Sequence, residues 1–161
     1  MDDVIIRRAA EADLTRVAYL AGQLVRMHHS TDPGRFLLVD NVEDGYAWWL
    51  GREIQRADAV VLVALRGEGI VGYAYGSVEE RDWNMLLDHH GALHDVFVAP
   101  ESRRAGVGRK LIEAMIARLE EKGALRVVLS TMVANDAAQK IFARCGFRPT
   151  MIEMTRNKAS D

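Results

Sequence analysis

The densest chemistry in the chain is the run HDVFVAPESRRAGVGRKL, from His94 to Leu111. An apolar strand stops at Pro100, a basic loop follows, and a helix begins at about Gly106. Backbone N–H groups at a helix start lack intrahelical partners and sit at the positive end of the dipole, so such a start attracts anions. Gly106 and Gly108 carry no side chain, which lets a phosphate approach the main chain closely. Arg103, Arg104 and Arg109 add the charge that suits a diphosphate. The spacing is Arg-x-x-Gly-x-Gly, which is neither the dinucleotide fingerprint nor the Gly-Lys-Ser/Thr phosphate loop. A turn built from glycines and arginines with no ligand would have the same composition. His94 opens the run. An imidazole, with an intrinsic pKa near ~6.5, is mostly neutral at pH 7 and can accept a proton.

The periodicity around this run predicts the elements that position it. VIIRR (Val4 to Arg8) has strand character, and from Ala10 the pattern turns helical, with Leu14, Val17, Ala21, Leu24 and Val25 on one face. The turn residues Asp32, Pro33 and Gly34 predict a loop from Met27 to Leu38. A second helix is expected over Asn41 to Ala57, then a hairpin of AVVLVAL (Ala59 to Leu65) and IVGYAYGSV (Ile70 to Val78) around Gly67–Gly69. A polar excursion from Glu79 to His90 leads into a strand over Ala92 to Pro100. Val107, Leu111, Met115 and Leu119 recur every four residues and define an amphipathic helix that ends at Gly123. Arg126 to Val133 is expected as a fifth strand. A short helix capped by Asn135 follows, with Ala138, Ile141, Phe142 and Cys145 as its buried stripe. Phe147 to Thr155 is expected as a last strand. The order β-α-α-β-β-β-α-β-α-β is that of a mixed α/β sheet with helices on both faces.

Several of these pieces together carry a resemblance. Val98-Ala99-Pro100 leads into Arg103-Arg104-Ala105-Gly106-Val107-Gly108. These are followed by VVLSTMVAN, DAAQKIFARC and Gly146-Phe147. The pattern resembles the GNAT superfamily, the acetyl-CoA-dependent N-acetyltransferases, and it covers nearly the whole chain. The resemblance implies a GNAT fold with a mixed central sheet of about six to seven strands and helices on both faces. It implies acetyl-CoA as the acyl donor and an amine-bearing acceptor, and it is compatible with a homodimer. The backbone of Val96, Phe97 and Val98 would pair with the pantetheine arm. Residues Arg103, Arg104, Ala105, Gly106, Val107, Gly108 and Arg109 would hold the pyrophosphate, and Asn135 would reach the pantetheine. The thioester would lie where the sheet splays beside the fourth strand, with the oxyanion on main-chain N–H near Val98.

Acetyl transfer to an amine needs the neutral amine, and this decides which group matters most. Deprotonating a lysine-like amine with pKa ~10.4 at pH 7 costs about 4.6 kcal/mol, whereas a thiol with pKa ~8.5 leaves as thiolate for about 2 kcal/mol. The base therefore outweighs the acid. Strand alternation predicts that His94, Val96 and Val98 share a face, with Asp95 on the opposite one in a structural role. The resemblance also implies a base at His94, four residues before the Val of V-x-P. The tyrosine that the family uses as an acid is Phe142 here, which cannot donate a proton. Ser130, on the expected fifth strand, could orient water or be an ordinary strand serine. Tyr73 and Tyr75 are expected to pack with a wet tip, and Cys145 to pack inertly. His28, His29, His89 and His90 form two loop pairs without fixed ligand geometry, so no metal is expected. The resemblance places these loops on the acceptor side. Their acids and Trp83 suit a cationic amine. The alternative function is a catalytically degenerate acyl-CoA-binding sensor or interaction module.

Composition bounds the rest. With 161 residues, the chain is sized for a single domain, 1–161. Apolar residues make up 49% and charged residues 27%, the balance of a globular protein. The 21 basic and 23 acidic side chains leave a net charge of −2, so no basic field exists for nucleic acid or an anionic membrane. The single cysteine excludes an internal disulfide and fits a reducing compartment. No apolar run reaches the ~18 residues of a membrane span, and the acidic start is unlike a secretory signal, so a cytoplasmic protein is expected.

Overall fold

Strand β2 (Ala59–Arg66) is apolar at nearly every position, and a strand of that kind needs cover on both faces. The computed structural model, which describes residues 3–160, provides it. β2 lies between β1 (Val4–Arg8) and β3 (Gly69–Glu79), and β3 pairs with β4 (His90–Val98), all antiparallel. β5 (Val127–Val128) joins β4 in parallel, so the sheet order is β1-β2-β3-β4-β5. Helices α1 (Leu14–Thr31) and α2 (Val42–Glu53) cover one face, over Val61, Val63, Tyr73, Tyr75 and Phe97. Helix α3 (Val107–Glu121) covers the other with Val107, Leu111, Ile112, Met115 and Leu119, against Val60, Leu62, Ala74 and Leu93. Gly76 allows α3 this close, because a Cβ there would meet Met115 Sδ at 2.9 Å and the carbonyl of Ala92 at 2.8 Å. Among the described residues, no helix is long and apolar enough to cross a membrane.

Five expectations are corrected. The sheet has five strands, not six to seven. The strand expected over Arg126 to Val133 shrinks to two residues, because β4 and β5 pair only at Gly91–Val127 and Ala92–Val128 and then diverge. The carbonyls of Met132 and Val133 accept instead from the Gln139 side chain of α4 (Asp136–Arg144), at 3.0 and 3.1 Å. With β5 so short, Phe147 to Thr155 has no ladder to join and runs without regular structure. This tail is drawn across the molecule instead: Glu153 pairs with Arg35, and Asn157 donates to the Gly34 carbonyl at 3.1 Å. α1 continues through Met27 to Thr31, beyond the predicted loop boundary. The stripe on α4 is half-buried rather than buried, since this short helix covers only the margin of the α3 cluster.

Candidate active site

A β-bulge decides where the chemistry points. Tyr75 pairs with Asp95, but Gly76 pairs with Leu93, so His94 is an extra residue in β4. An extra residue breaks the alternation of side chains. His94 and Asp95 therefore both face α1 and α2, while Val96 and Val98 pack on the α3 side. The expectation that His94 shares a face with Val96 and Val98, and that Asp95 faces the other way, is overturned by this one residue.

His94 is held by a chain of polar groups. Its ring stacks on Tyr75, with centroids 5.0 Å apart. Its Nε2 lies 2.8 Å from the buried Ser77 Oγ, and that hydroxyl donates to Glu79. A carboxylate only accepts, so the Ser77 proton is committed to Glu79 and Ser77 accepts from His94. The neutral imidazole therefore carries its proton on Nε2 and its lone pair on Nδ1. Behind Tyr75, the buried Glu53 accepts from the Tyr75 hydroxyl and from Arg56 at 2.9 Å. Burial, and then Glu53, raise the Tyr75 pKa, so this phenol stays a donor.

Asp95 opens into a different space. A cleft of about 580 Å³ lies between the end of α1, residues 32–41 and α2, with Asp95 on its floor. Tyr73 donates to Asp95 Oδ2 at 2.9 Å. Burial pushes the Asp95 pKa up, against the opposing pull of the Tyr73 hydrogen bond and nearby histidines. Trp49 stands at the junction: it lines the cleft and packs edge-on to Tyr75 at 4.9 Å. His28 lines the opposite wall, and His29 follows it at the end of α1. The His28 Nδ1 donates to the Leu24 carbonyl within α1 and the His29 Nδ1 to the Phe36 carbonyl, each at 2.8 Å, and the second bond ties the end of α1 to the following loop. Among the described residues, no cluster of three groups could hold a metal ion.

The loop from Arg103 to Arg109 has the features an anion site requires. Arg104 and Gly106 both have left-handed backbone (φ 67° and 75°), which curls the chain ahead of α3. No side chain caps α3, and the first intrahelical bond is Lys110 N–H to the Gly106 carbonyl. The amides up to Arg109 thus lack intrahelical acceptors. A Cβ on Gly106 would meet nothing within 4 Å, so the space beside that residue is open. Ala105 is exposed beside them. The arginines differ from one another. Arg103 donates to the Val98 carbonyl at 3.0 Å, Arg109 pairs with Glu113 at 2.7 Å, and Arg104 has no ion pair among the described residues. Beyond Ala92, the β4 edge carrying Val96, Phe97 and Val98 has no β5 partner. An extended chain could lie along that edge, starting from the anion loop. Asn135 caps α4 by accepting from Ala138 N at 3.1 Å, which leaves its amide nitrogen to donate elsewhere. These residues fit a diphosphate followed by an amide-bearing arm.

Two other predicted positions are less engaged. Ser130 is exposed and lies two residues past β5, not on it, because β5 ends where the strands diverge. Phe142 is half-buried and meets Phe147 edge-on at 6.0 Å, as packing requires. Sequence reasoning missed Asp95, Ser77 and Trp49 as site residues. One signal was available: His94-Asp95 are adjacent polar residues in an otherwise apolar strand, which is how a bulge can be written.

Comparison with known proteins agrees with this fold. The model of the acetyltransferase (GNAT) family matches residues 21–147. An uncharacterized N-acetyltransferase of Bacillus subtilis (strain 168), YobR, is 33% identical over 64 residues, covering 40% of this chain and 26% of that protein. The chain thus matches about a quarter of that relative's length. Among solved structures, the aminoglycoside N-acetyltransferase AAC(6')-Iy in complex with CoA has a TM-score of 0.77 at 22% identity, covering 98% of this chain and 96% of its own. The tetramutant of the BH1408 protein from Bacillus halodurans has a TM-score of 0.79 at 22% identity, covering 96% and 99%. The fold is shared from end to end, and with the family match spanning most of its length this chain belongs to the GNAT acetyltransferase family.

Proposed function

We propose that the protein is an N-acetyltransferase that moves the acetyl group of acetyl-CoA to a primary amine of a small molecule or peptide. One observation carries the proposal: the uncapped start of α3 adjoins an unpaired β4 edge that leads to a hydrogen-bonded imidazole at the bulge. The pyrophosphate would rest on the amides from Gly106 to Arg109, with Arg104 supplying a cation. The pantetheine arm would follow Val96 and Phe97 toward the bulge, with Asn135 donating to it from the far side.

The amine attacks the thioester carbonyl carbon, the C–S bond breaks and the thiolate leaves. His94 Nδ1 takes the proton that the amine must lose. Ser77 and Glu79 hold the ring so that Nδ1, not Nε2, is the accepting nitrogen. Ser130 enters no step. A second reading, acyl-CoA binding without turnover, draws on Phe142, which has no proton to return to the thiolate.

Thiol release from acetyl-CoA across a panel of amines separates the two, since only an enzyme releases thiol in an amine-dependent way. In the same preparation, acetyl-CoA at about 100 times its dissociation constant should add ~2.7 kcal/mol of stability, seen as a rise in melting temperature. Gly106→Asp puts a carboxylate against the diphosphate and should abolish the rise. An undiminished rise in that variant would remove the loop from the site.

A further inference from the structure

The geometry assigns the cleft above Asp95 to a primary amine that carries one positive charge on an apolar, ring-sized body. The assignment rests on the acetyl-transfer reading and narrows its acceptor. The walls are apolar and aromatic: Leu24, Phe36, Leu37, Val42, Tyr46 and Trp49. Tyr46 and Trp49 meet edge-on at 5.7 Å on the α2 side, and His28 and Phe36 do so at 4.8 Å on the other, so a ring would find aromatic partners on two sides. The volume of about 580 Å³ lies within the range of small-molecule sites.

The charges within the cleft are few. Asp95 is on the floor and Asp40 at the rim. Of the other carboxylates on the surrounding elements, Glu43 pairs with Arg26, Glu53 with Arg56 and Glu153 with Arg35, while Asp32 and Asp44 stand outside the cleft lining. Arg35 itself stands in the lining. A polycation would therefore bring several ammonium groups against apolar walls with one deep counter-charge, and unpaired buried charge is costly. A monoamine would not. Asp95 has acceptor capacity left after the Tyr73 bond, since a carboxylate offers about four lone-pair sites. An ammonium there would lie one residue from His94.

The test compares phenethylamine, spermidine and an aminoglycoside by calorimetry on the CoA-loaded protein and by thiol release. Phenethylamine should bind and turn over with a KM at least tenfold below spermidine. Asp95→Asn should raise that KM tenfold or more and leave the acetyl-CoA melting shift intact. Trp49→Ala should weaken phenethylamine binding by a similar factor. Preference for either polycation, or a KM within threefold of wild type in Asp95→Asn, overturns the assignment. So does absence of phenethylamine binding in a protein that shows the acetyl-CoA shift. If the acetyl-CoA shift itself is absent, the acetyl-transfer reading fails. Calorimetry of phenethylamine on the protein alone then decides the cleft separately: binding upholds the assignment and absence of binding overturns it.

Discussion

His94 has one ring nitrogen committed to Ser77 and the other free, and this asymmetry is testable. General-base catalysis contributes about 10²- to 10⁴-fold, so His94→Ala should lower kcat by that factor without changing the acetyl-CoA melting shift. Ser77→Ala removes the acceptor that orients the ring but leaves the base itself, and should cost about tenfold in kcat. A Ser77→Ala protein as slow as His94→Ala would mean that Ser77 does more than orient. Asp95 has a cost that can be read from stability. Burial raises its pKa, so the folded protein holds this proton more tightly than the unfolded chain. Stability therefore falls as pH rises above the ordinary Asp value of 3.8. Asp95→Asn should melt higher than wild type at pH 7, with the gain closing as the pH approaches 4 in calorimetric scans. A lower melting temperature at pH 7 would show that the Tyr73 bond outweighs the burial.

At the level of elements, the chain announces the α3 loop plainly because the loop's shape is a property of the backbone. Gly106, Gly108 and Pro100 encode that shape locally, and α3 starts where these residues predict. The β4 site is different. Whether Asp95 faces the cleft depends on the pairing of β4 with β3, which lies outside the strand's own sequence, so alternation sent it to the wrong face. β5 failed as a prediction for a related reason. Its residues are good strand formers, but strand formation needs a partner and β4 turns away. The β1–α1 junction shows an element boundary fixed by side chains. Arg7 donates twice to Asp13, at 2.6 and 3.0 Å, and the amide of Ala10 donates at 2.7 Å. The Arg7 bonds hold the Asp13 pKa below its ordinary value of 3.8, which places the stabilisation above that pH and removes it as pH falls further. Asp13→Asn should lose about 1–2 kcal/mol at pH 7, the low end for hydrogen bonds to a charged group, because Arg7 is partly screened by solvent. Denaturant melts at pH 7 and pH 3 would check it: the difference between variant and wild type should shrink at pH 3.

Across the whole molecule, the order of β1 to β4 and the helices on each face follow from local patterns, since β1 to β4 are consecutive strands in sequence and neighbours in space. The tail does not. Phe147 to Thr155 has a strand-like composition, but its position is set by Glu153 and Asn157 reaching residues 34–35. Nothing in either segment marks the other as its partner. The Arg35–Glu153 pair is exposed, and salt screens such pairs. Glu153→Gln, or high salt, should speed proteolysis within the tail while leaving the melting temperature nearly unchanged. A large drop in melting temperature would mean that the tail is part of the core's stability. The same pair has a consequence in time. Its two residues are 118 positions apart, so at synthesis rates of about 5–20 residues per second Arg35 waits roughly 6 to 24 seconds for Glu153. The floor and walls of the cleft above Asp95 are translated well before the residue that pairs with Arg35 in its lining, so on the ribosome this contact is among the last the molecule can make.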